Sequence, residues 1–364
     1  MSVAIIFSEE KNNMRISSTC RSERANPNAR NFGLGSKDPA FAAANAAQEE
    51  FNTGEIGGVT KDLKITSFNA FLNFHEEHDN KIKDLRKIES SHLQSYSEHL
   101  HERIENEEIT GATAGNYISH IETLLNQIRG NDAVKFDSSA RAELSRDNTA
   151  RLDREVSSST LEEVKSHLNE NHSAMLSLQR DLGLRFEESA KFNATAALSK
   201  IEAGAKEIKI EAATTKGGRP RCIPLSPSAA LAIAEAAEIQ ESARSMIPSD
   251  LSYKTFRNEC YNSMQNEEIN HHALRHTYAY NEYKESWTEK GHKDIEPPVR
   301  AGIEPPVAGD RADMQRYRAE KIDYLQEKTG LNRNEVKEIE REIRLDVSEK
   351  LGHSRVSITN KYLG

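Results

Sequence analysis

Apolar residues recur at spacings of three and four positions between Asp38 and about Gly130. The residues with this spacing are Phe41 to Phe51, then Phe68, Phe71, Leu72 and Phe74, then Leu93, Tyr96 and Leu100, and finally Tyr117, Ile118, Ile121, Leu124, Leu125 and Ile128. An α-helix that buries one face has this period. The pattern predicts a small all-α domain of roughly four helices over residues 39–130.

Two polar stretches border this domain. Residues 1–38 are rich in Asn, Ser, Arg and Gly and have no lasting apolar period, which predicts a flexible N-terminal arm. Residues 131–158 are again polar and predict an interdomain linker.

A second domain is expected over residues 159–364, most of it helical. Ser159 or Thr160, followed by Glu162 and Glu163, has the pattern of a helix N-cap with acids in the first turn. This pattern marks the start of the first helix of the domain.

One part of the second domain has the alternation of a strand. Residues 206–212 alternate polar and apolar side chains, a Gly-Gly turn follows over residues 216–220, and a short apolar run covers residues 222–225. This order predicts a β-hairpin with Lys216 near its tip. The predicted fold class is therefore mainly α with a small β-hairpin: an all-α domain followed by an α+β domain.

The segment of residues 286–342 has an unusual composition. It contains Ile-Glu-Pro-Pro-Val twice, starting at Ile295 and at Ile303, and both copies are expected to be extended. Two charged helical stretches follow, separated by Gly330 and an Asn332-x-x-Glu335 capping box.

The composition bears on the compartment. The chain has 364 residues, enough for two ordinary domains, and only 36% of them are hydrophobic. No run approaches the roughly eighteen apolar residues of a membrane span, and the apolar start Val3–Phe7 is too short for a signal peptide. The expected location is the cytoplasm. The cysteines are far apart and predict reduced thiols: Cys20, Cys222 and Cys260.

The formal net charge of −9 weighs against a nucleic-acid partner, because Lys and Arg supply most of the affinity for DNA. Net charge is a sum over all faces, however, so an acidic protein can still have one cationic groove. DNA therefore remains a candidate partner.

Four short motifs follow one another in the second half of the chain. They are Leu182-Gly183-Leu184-Arg185-Phe186-Glu187-Glu188, then Thr215 to Leu225 with Lys216, then His272-Ala273-Leu274-Arg275-His276-Thr277, and finally Leu351-Gly352-His353 with Tyr362 nine positions after the histidine. In this order they resemble the motifs of the tyrosine recombinase (phage integrase) family. A single motif of this length arises by chance in many proteins, but four in one order are specific.

The resemblance implies a helical core-binding domain over residues 39–130 and a catalytic domain over residues 159–364. In that family the last two motifs usually lie closer together, so residues 286–342 stand out as an insertion. Its apolar stripe has two interpretations that the sequence leaves open: a contact between protomers, or packing on its own domain. The stripe consists of Val336, Ile339, Ile343, Val347 and Leu351.

Cleavage of a phosphodiester needs a nucleophile, proton transfer and stabilisation of negative charge on phosphorus. Planar guanidinium groups suit the last task, which we assign to Arg185 and Arg275. His272 lies three residues before Arg275, and Glu188 three after Arg185, so each pair can share a helix face.

The resemblance supplies the remaining roles. It implies Tyr362 as the nucleophile that forms a 3′-phosphotyrosine, Lys216 as the acid for the leaving 5′ oxygen, His272 as a proton acceptor and His353 as a donor to the phosphate. It implies no cofactor. A metal site at His271, His272 and His276 is the competing interpretation, but carboxylates and cysteines at zinc-like spacing are missing there.

The expected function is site-specific recombination for integration or excision of a mobile element. The expected partners are double-stranded DNA in the nucleoid, a homo-tetramer on two DNA sites, accessory DNA-bending or directionality proteins, and no membrane. Two alternatives are DNA relaxation of the type IB topoisomerase kind, and a DNA-binding protein that has kept the fold but lost the reaction.

Overall fold

The computed structural model of the chain describes residues 24–106, 108–137, 150, 152–211, 220–240, 244–307 and 310–364, without the side chains of Glu105 and Arg311. The Cα positions divide into two compact units, Met1–Asp147 and Asn148–Gly364. In the described ranges both units are mainly helical, and the second also contains a two-stranded sheet. The predicted fold class is confirmed.

Helices in the first unit surround one apolar core. They are α1 (Pro39–Asn52), α2 (Gly58–Glu77), α3 (Ser90–Glu105) and α4 (Gly111–Arg129). Asp38 caps α1, because its carboxylate accepts hydrogen bonds from two amides of the first turn. Gly130 ends α4 in the left-handed conformation, at φ 72°. The apolar spacing thus located these helices correctly.

The last part of the predicted flexible arm is ordered, so that prediction is wrong for residues 24–38. Phe32 and Leu34 are buried in the core of the first unit, and the Arg24 guanidinium donates to the Ile128 carbonyl at 3.0 Å. The segment Arg30–Gly33 is a 3-10 turn with irregular backbone, which gives its buried residues no helical period. Residues 1–23 lie outside the described residues.

The second unit contains the sheet and a larger helical core. Its elements are α5 (Ser158–Ser166), α6 (Glu170–Leu182), α7 (Phe186–Ala190), α8 (Ala194–Glu202), β1 (Glu207–Ile210), β2 (Arg221–Pro224), α9 (Pro227–Ile239), α10 (Tyr253–Ser263), α11 (His271–Glu289), α12 (Arg311–Thr329), α13 (Arg333–Lys350) and α14 (Asn360–Leu363). Strands β1 and β2 pair antiparallel with Ile208 opposite Ile223, as the sequence predicted. The tip with Lys216 lies outside the described residues.

Helix α5 begins earlier than its expected cap. Ser157 is the N-cap, and its hydroxyl accepts a hydrogen bond from the Thr160 amide at 3.0 Å. The Ser159 and Thr160 hydroxyls each contact the Ser157 hydroxyl at 2.8 Å. The prediction of Ser159 or Thr160 as the cap is therefore wrong, because the Ser157 hydroxyl already accepts the hydrogen bond of the free Thr160 amide.

The second half of the segment of residues 286–342 forms regular helices. Gly330 ends α12 at φ 71°, and Asn332 and Glu335 form the predicted capping box at the start of α13. The first Pro-Pro copy is a turn instead of an extended chain: the Pro297 carbonyl accepts from the amides of Arg300 and Ala301 at 2.8 and 3.0 Å.

The apolar stripe of α13 packs on its own unit. Val336, Ile343, Val347 and Leu351 are buried in the same core as α6 and α11, and Ile339 is partly buried against it. Of the two interpretations, the structure supports packing of the stripe on its own domain. Within the described residues, no helix has the length and apolar character required to cross a membrane.

Candidate active site

Arg275 is the centre of a polar cluster in the second unit. It lies on the second turn of α11, whose N-terminus is capped by the Asn270 side chain, and it is only 1% exposed. Its guanidinium donates to the backbone carbonyls of Gly183 and Leu351, and its Nε donates to the Tyr362 hydroxyl at 3.2 Å. One buried cation thus joins three of the four sequence motifs.

Arg185 enters the same cluster from the start of α7. Gly183 makes this possible, because it turns the chain at φ 59° and a Cβ there would overlap the Tyr278 ring. The Arg185 guanidinium donates to Glu188 Oε1 at 2.8 Å, and its second arm lies 3.3 Å from both the Leu351 carbonyl oxygen and His353 Nε2. The carboxylate therefore orients Arg185 toward the fourth motif, which contains Leu351 and His353.

Arg221 is a third arginine of the cluster, and the sequence reasoning did not single it out. It lies on the inward face of β2 and holds both oxygens of Glu188, at 2.9 and 2.7 Å. One sequence signal could have revealed it. Arg221 lies two residues before the buried Ile223, so both side chains are on the inward face of the strand. A charged residue on that face requires a charged partner.

Glu188 is almost fully buried between these two arginines. Burial alone would raise the pKa of this carboxyl, but the hydrogen bonds and charges of Arg221 and Arg185 outweigh burial and lower its pKa to about 2. Glu188 is consequently ionised throughout the neutral range and acts as a fixed anion in the cluster.

Gly352 and His353 follow the end of α13. Gly352 adopts φ +73°, and a Cβ on it would lie 3.2 Å from Arg221 Cδ and Nη1 and 3.6 Å from Arg185 Nη1. The turn brings the half-buried His353 ring beside Arg185. Both the backbone conformation and the close approach to Arg221 therefore favour glycine.

Tyr362 lies on the short helix α14 and is 4% exposed. Its ring centroid is 4.9 Å from that of His276 and 5.7 Å from that of His272. The hydroxyl of Tyr362, the candidate nucleophile, is thus hydrogen-bonded to Arg275, and two histidine rings lie beside the tyrosine ring.

The two histidines nearest the opening are neutral at pH 7. Burial is the main cause that lowers the pKa of both His272 and His353 to about 4, and nearby arginine charges lower both pKa values further. His272 is nevertheless exposed on one side. A neutral imidazole can accept a proton through one nitrogen and donate through the other.

The three histidines of the competing metal-site interpretation do not converge. His271 turns away from His272 and His276, and its Nδ1 lies 3.0 Å from the Gln179 side-chain oxygen. In the described part of the chain, no group of three or more His, Cys, Asp or Glu side chains is arranged to hold a metal ion.

The structure places five of the predicted site residues and Glu188 together, while Lys216 lies outside the described residues.

Replacing Glu188 with Gln should lower the free energy of unfolding by about 3 kcal/mol at pH 7, which is the depression of the pKa from 4.5 to about 2 converted at 1.36 kcal/mol per unit. A depressed pKa stabilises the fold above pH 4.5, and this stabilisation is lost as the pH falls toward 2. The difference between wild type and variant in urea unfolding should therefore shrink with acidification.

Glu187→Gln is the matched control, because Glu187 is exposed and pairs only on the surface with Lys191 at 2.6 Å. It should cost less than about 1 kcal/mol at any pH. Equal effects of both variants at pH 7 would show that Glu188 does not hold the cluster.

Residues 143–281 match the family model described as Integrase. The match covers less than half of the chain, and over that span the chain is similar to integrases. The matched span contains Arg185, His272 and Arg275, and it ends before His353 and Tyr362. No curated protein sequence matches the chain.

Among solved structures, the chain is similar to one described as the crystal structure of XerA recombinase. The sequence identity is 12%, the alignment covers 88% of this chain and 92% of that chain, and the TM-score is 0.30.

Proposed function

We propose that this chain is a site-specific recombinase that cuts and rejoins DNA through Tyr362. The observation that carries the proposal is the hydrogen bond from Arg275 Nε to the Tyr362 hydroxyl, 3.2 Å long, inside a cluster of three arginines. A tyrosine hydroxyl held against a fixed cation is a nucleophile placed beside an anion-binding site.

The charges of the cluster favour a phosphate ligand. Arg185, Arg221 and Arg275 together have three positive charges, and Glu188 is the only carboxylate in the described ranges that pairs with any of them. Two positive charges are therefore left for an anion. Guanidinium groups remain protonated when buried and present planar donors that match phosphate oxygens.

The reaction begins when the Tyr362 oxygen attacks phosphorus and the bond from phosphorus to the 5′ oxygen breaks. The products are a 3′-phosphotyrosine and a free 5′-hydroxyl, and the ester conserves the energy for rejoining. The tyrosine proton passes to the neutral His272. The leaving 5′ oxygen takes its proton from Lys216, a role that rests on the family resemblance alone.

Arg185 and Arg275 stabilise the negative charge that develops on the phosphate oxygens. His353 donates a hydrogen bond to the same phosphate from its neutral ring. Arg221 does not need to touch DNA in this scheme: through Glu188 it holds Arg185 in place. Preorganised donors of this kind are effective because they need no rearrangement during the reaction.

The biological setting we propose is integration or excision of a mobile element. Two DNA sites would be joined by a homo-tetramer, with accessory DNA-bending or directionality proteins where the site requires them. These assignments follow the family and the proposed chemistry.

Binding to duplex DNA should weaken steeply with added salt despite the net charge of −9. Contacts to several phosphates release counterions, and each contact adds roughly 0.9 to the slope of log affinity against log salt. Fluorescence anisotropy with a labelled duplex from the DNA flanking the gene, between 50 and 300 mM salt, measures this slope. A flat response would contradict a cationic groove.

The proposal is tested by incubating the protein with end-labelled duplex fragments of that flanking DNA and separating the products on a denaturing gel. We expect a protein-linked DNA band that resists denaturation. Binding without such a band would favour a DNA-binding protein that has lost the reaction. Relaxation of a supercoiled plasmid without any flanking sequence would favour the topoisomerase alternative.

A further inference from the structure

Arg344, on the inner face of α13, contacts the chain on both sides of Tyr362. Its Nη2 donates to the Gly364 carbonyl at 2.8 Å. Its Nη1 donates to the Asn360 side-chain oxygen at 3.0 Å and lies 3.3 Å from the Thr359 hydroxyl. One guanidinium thus spans the ends of the helix that presents Tyr362.

Two backbone hydrogen bonds hold the same helix at other points. The Val299 amide, from the turn after the first Pro-Pro copy, donates to the Leu363 carbonyl at 3.0 Å, and the Ala150 amide donates to the Asn360 carbonyl at 2.7 Å. Leu363 itself is fully buried. Val299 belongs to the inserted segment and Arg344 follows it on α13, so the insertion and α13 each contribute a contact that holds α14.

Arg344 is itself fixed by a buried network. Its Nε donates to Glu340 Oε1 at 2.5 Å, and the Tyr283 hydroxyl donates to Glu340 Oε2 at 2.6 Å. Arg344 is 2% exposed. Burial of an ion pair costs several kcal/mol of desolvation and often stabilises less than apolar residues would. A buried arginine with four directed contacts is therefore better explained by geometric specificity than by stability.

We propose that Arg344 is a positioning residue that holds the Tyr362 helix in the geometry needed for attack on phosphorus. This inference rests on the proposed function of Tyr362. Arg344 acts from the core side of α14 and makes no contact with the arginine cluster that would bind the phosphate. The insertion and α13 together form a clamp around residues 359–364, and Arg344 is its central contact.

Loss of the Arg344 contacts should affect only the attack of Tyr362 on phosphorus. A displacement of a reacting group by about 1 Å costs up to a hundredfold in rate. Loss of the clamp should misplace the Tyr362 oxygen while leaving the phosphate-binding cluster intact. A small nucleophile from solution, which needs the cluster but not the tyrosine, should be unaffected.

The test compares Arg344→Lys in two backgrounds. Lysine keeps the charge beside Glu340 but cannot direct planar donors to three acceptors. In the chain with Tyr362 present, the rate of adduct formation on the flanking DNA should fall at least about tenfold, with DNA affinity unchanged. In the Tyr362→Phe background, hydrogen peroxide supplies the attacking oxygen, and strand cleavage should be the same with or without Arg344→Lys.

An equal loss in both backgrounds would show a general structural effect and would overturn the proposal, as would an unchanged rate of adduct formation. Arg341→Lys is the matched control, because Arg341 is an exposed arginine on the same helix, and it should change neither reaction. If Arg344→Lys folds poorly, the quadruple variant Tyr283→Phe, Lys321→Met, Glu340→Met, Arg344→Met removes the ionic network, including the Lys321 ammonium that lies 3.8 Å from Glu340, and should show the same selective loss.

A second measurement does not depend on DNA cleavage. Trypsin can cut after the exposed Lys361, which would release residues 362–364. Intact mass spectrometry after brief trypsin treatment should show this loss at least about tenfold faster in Arg344→Lys than in wild type or Arg341→Lys, because cleavage requires local opening. Equal rates of trypsin cleavage would overturn the clamp. If trypsin cleavage is faster in Arg344→Lys but the wild-type protein does not cleave DNA, the clamp stands and the proposed function is wrong.

Discussion

Tyr362→Phe should abolish the covalent adduct with DNA and leave DNA affinity within about twofold of the wild-type value, because only the nucleophilic oxygen is removed. In the structure this oxygen accepts a hydrogen bond from Arg275 Nε at 3.2 Å, and the ring packs beside the rings of His272 and His276. Phenylalanine preserves the ring contacts, so the position of α14 should be unchanged.

Tyr280→Phe is the matched control for this experiment. Tyr280 is a buried tyrosine on α11 whose hydroxyl accepts from the Arg154 amide at 3.4 Å, and its ring also neighbours His276. This variant should form the adduct at a rate close to that of wild type. An adduct formed by Tyr362→Phe would mean that another residue attacks the DNA.

Arg275→Lys should slow adduct formation at least a hundredfold, which corresponds to roughly 3 kcal/mol for the loss of one charge-stabilising donor. A lysine ammonium can replace the charge but cannot contact two carbonyls and the Tyr362 hydroxyl at once. The measurement is a single-turnover rate with protein in excess over DNA, accompanied by a thermal melt to confirm folding.

Arg341→Lys again serves as control, because it changes an exposed arginine outside the site. Arg185→Ala should cause a loss similar to that of Arg275→Lys, since both guanidinium groups face the same proposed phosphate position. A nearly normal rate in either variant would remove that arginine from the chemistry.

The sequence predicted the elements whose pattern is local and regular. Helical spacing identified α1 to α4, alternation identified β1 and β2, and the cap at Asn332 identified the start of α13. The short motifs named Arg185, Arg275 and Tyr362 without showing that they meet, because contacts over 92 and 87 residues have no local signature. Long-range packing brings them together.

Other features depend on tertiary partners that the sequence pattern does not encode. Strand alternation could have marked Arg221 as an inward-facing charge, but not its partner Glu188. The role of Arg344 is recognised only when the ends of α14 are found around it. The same limit explains the error on Phe32 and Leu34, which are buried without belonging to a regular element. The stripe of α13 was visible in the sequence, but its partner surface was not.

The most direct test of the account identifies the residue and the DNA end that become linked. The flanking DNA is labelled at either the 5′ or the 3′ end of the cleaved strand, and the adduct is digested with nuclease and trypsin before mass spectrometry. The account predicts that only the 5′-labelled strand enters the adduct, and that the nucleotide is carried on Tyr362 in a tryptic peptide of residues 356–364 or 362–364. A nucleotide on any other residue, or retention of the 3′ label, would contradict it.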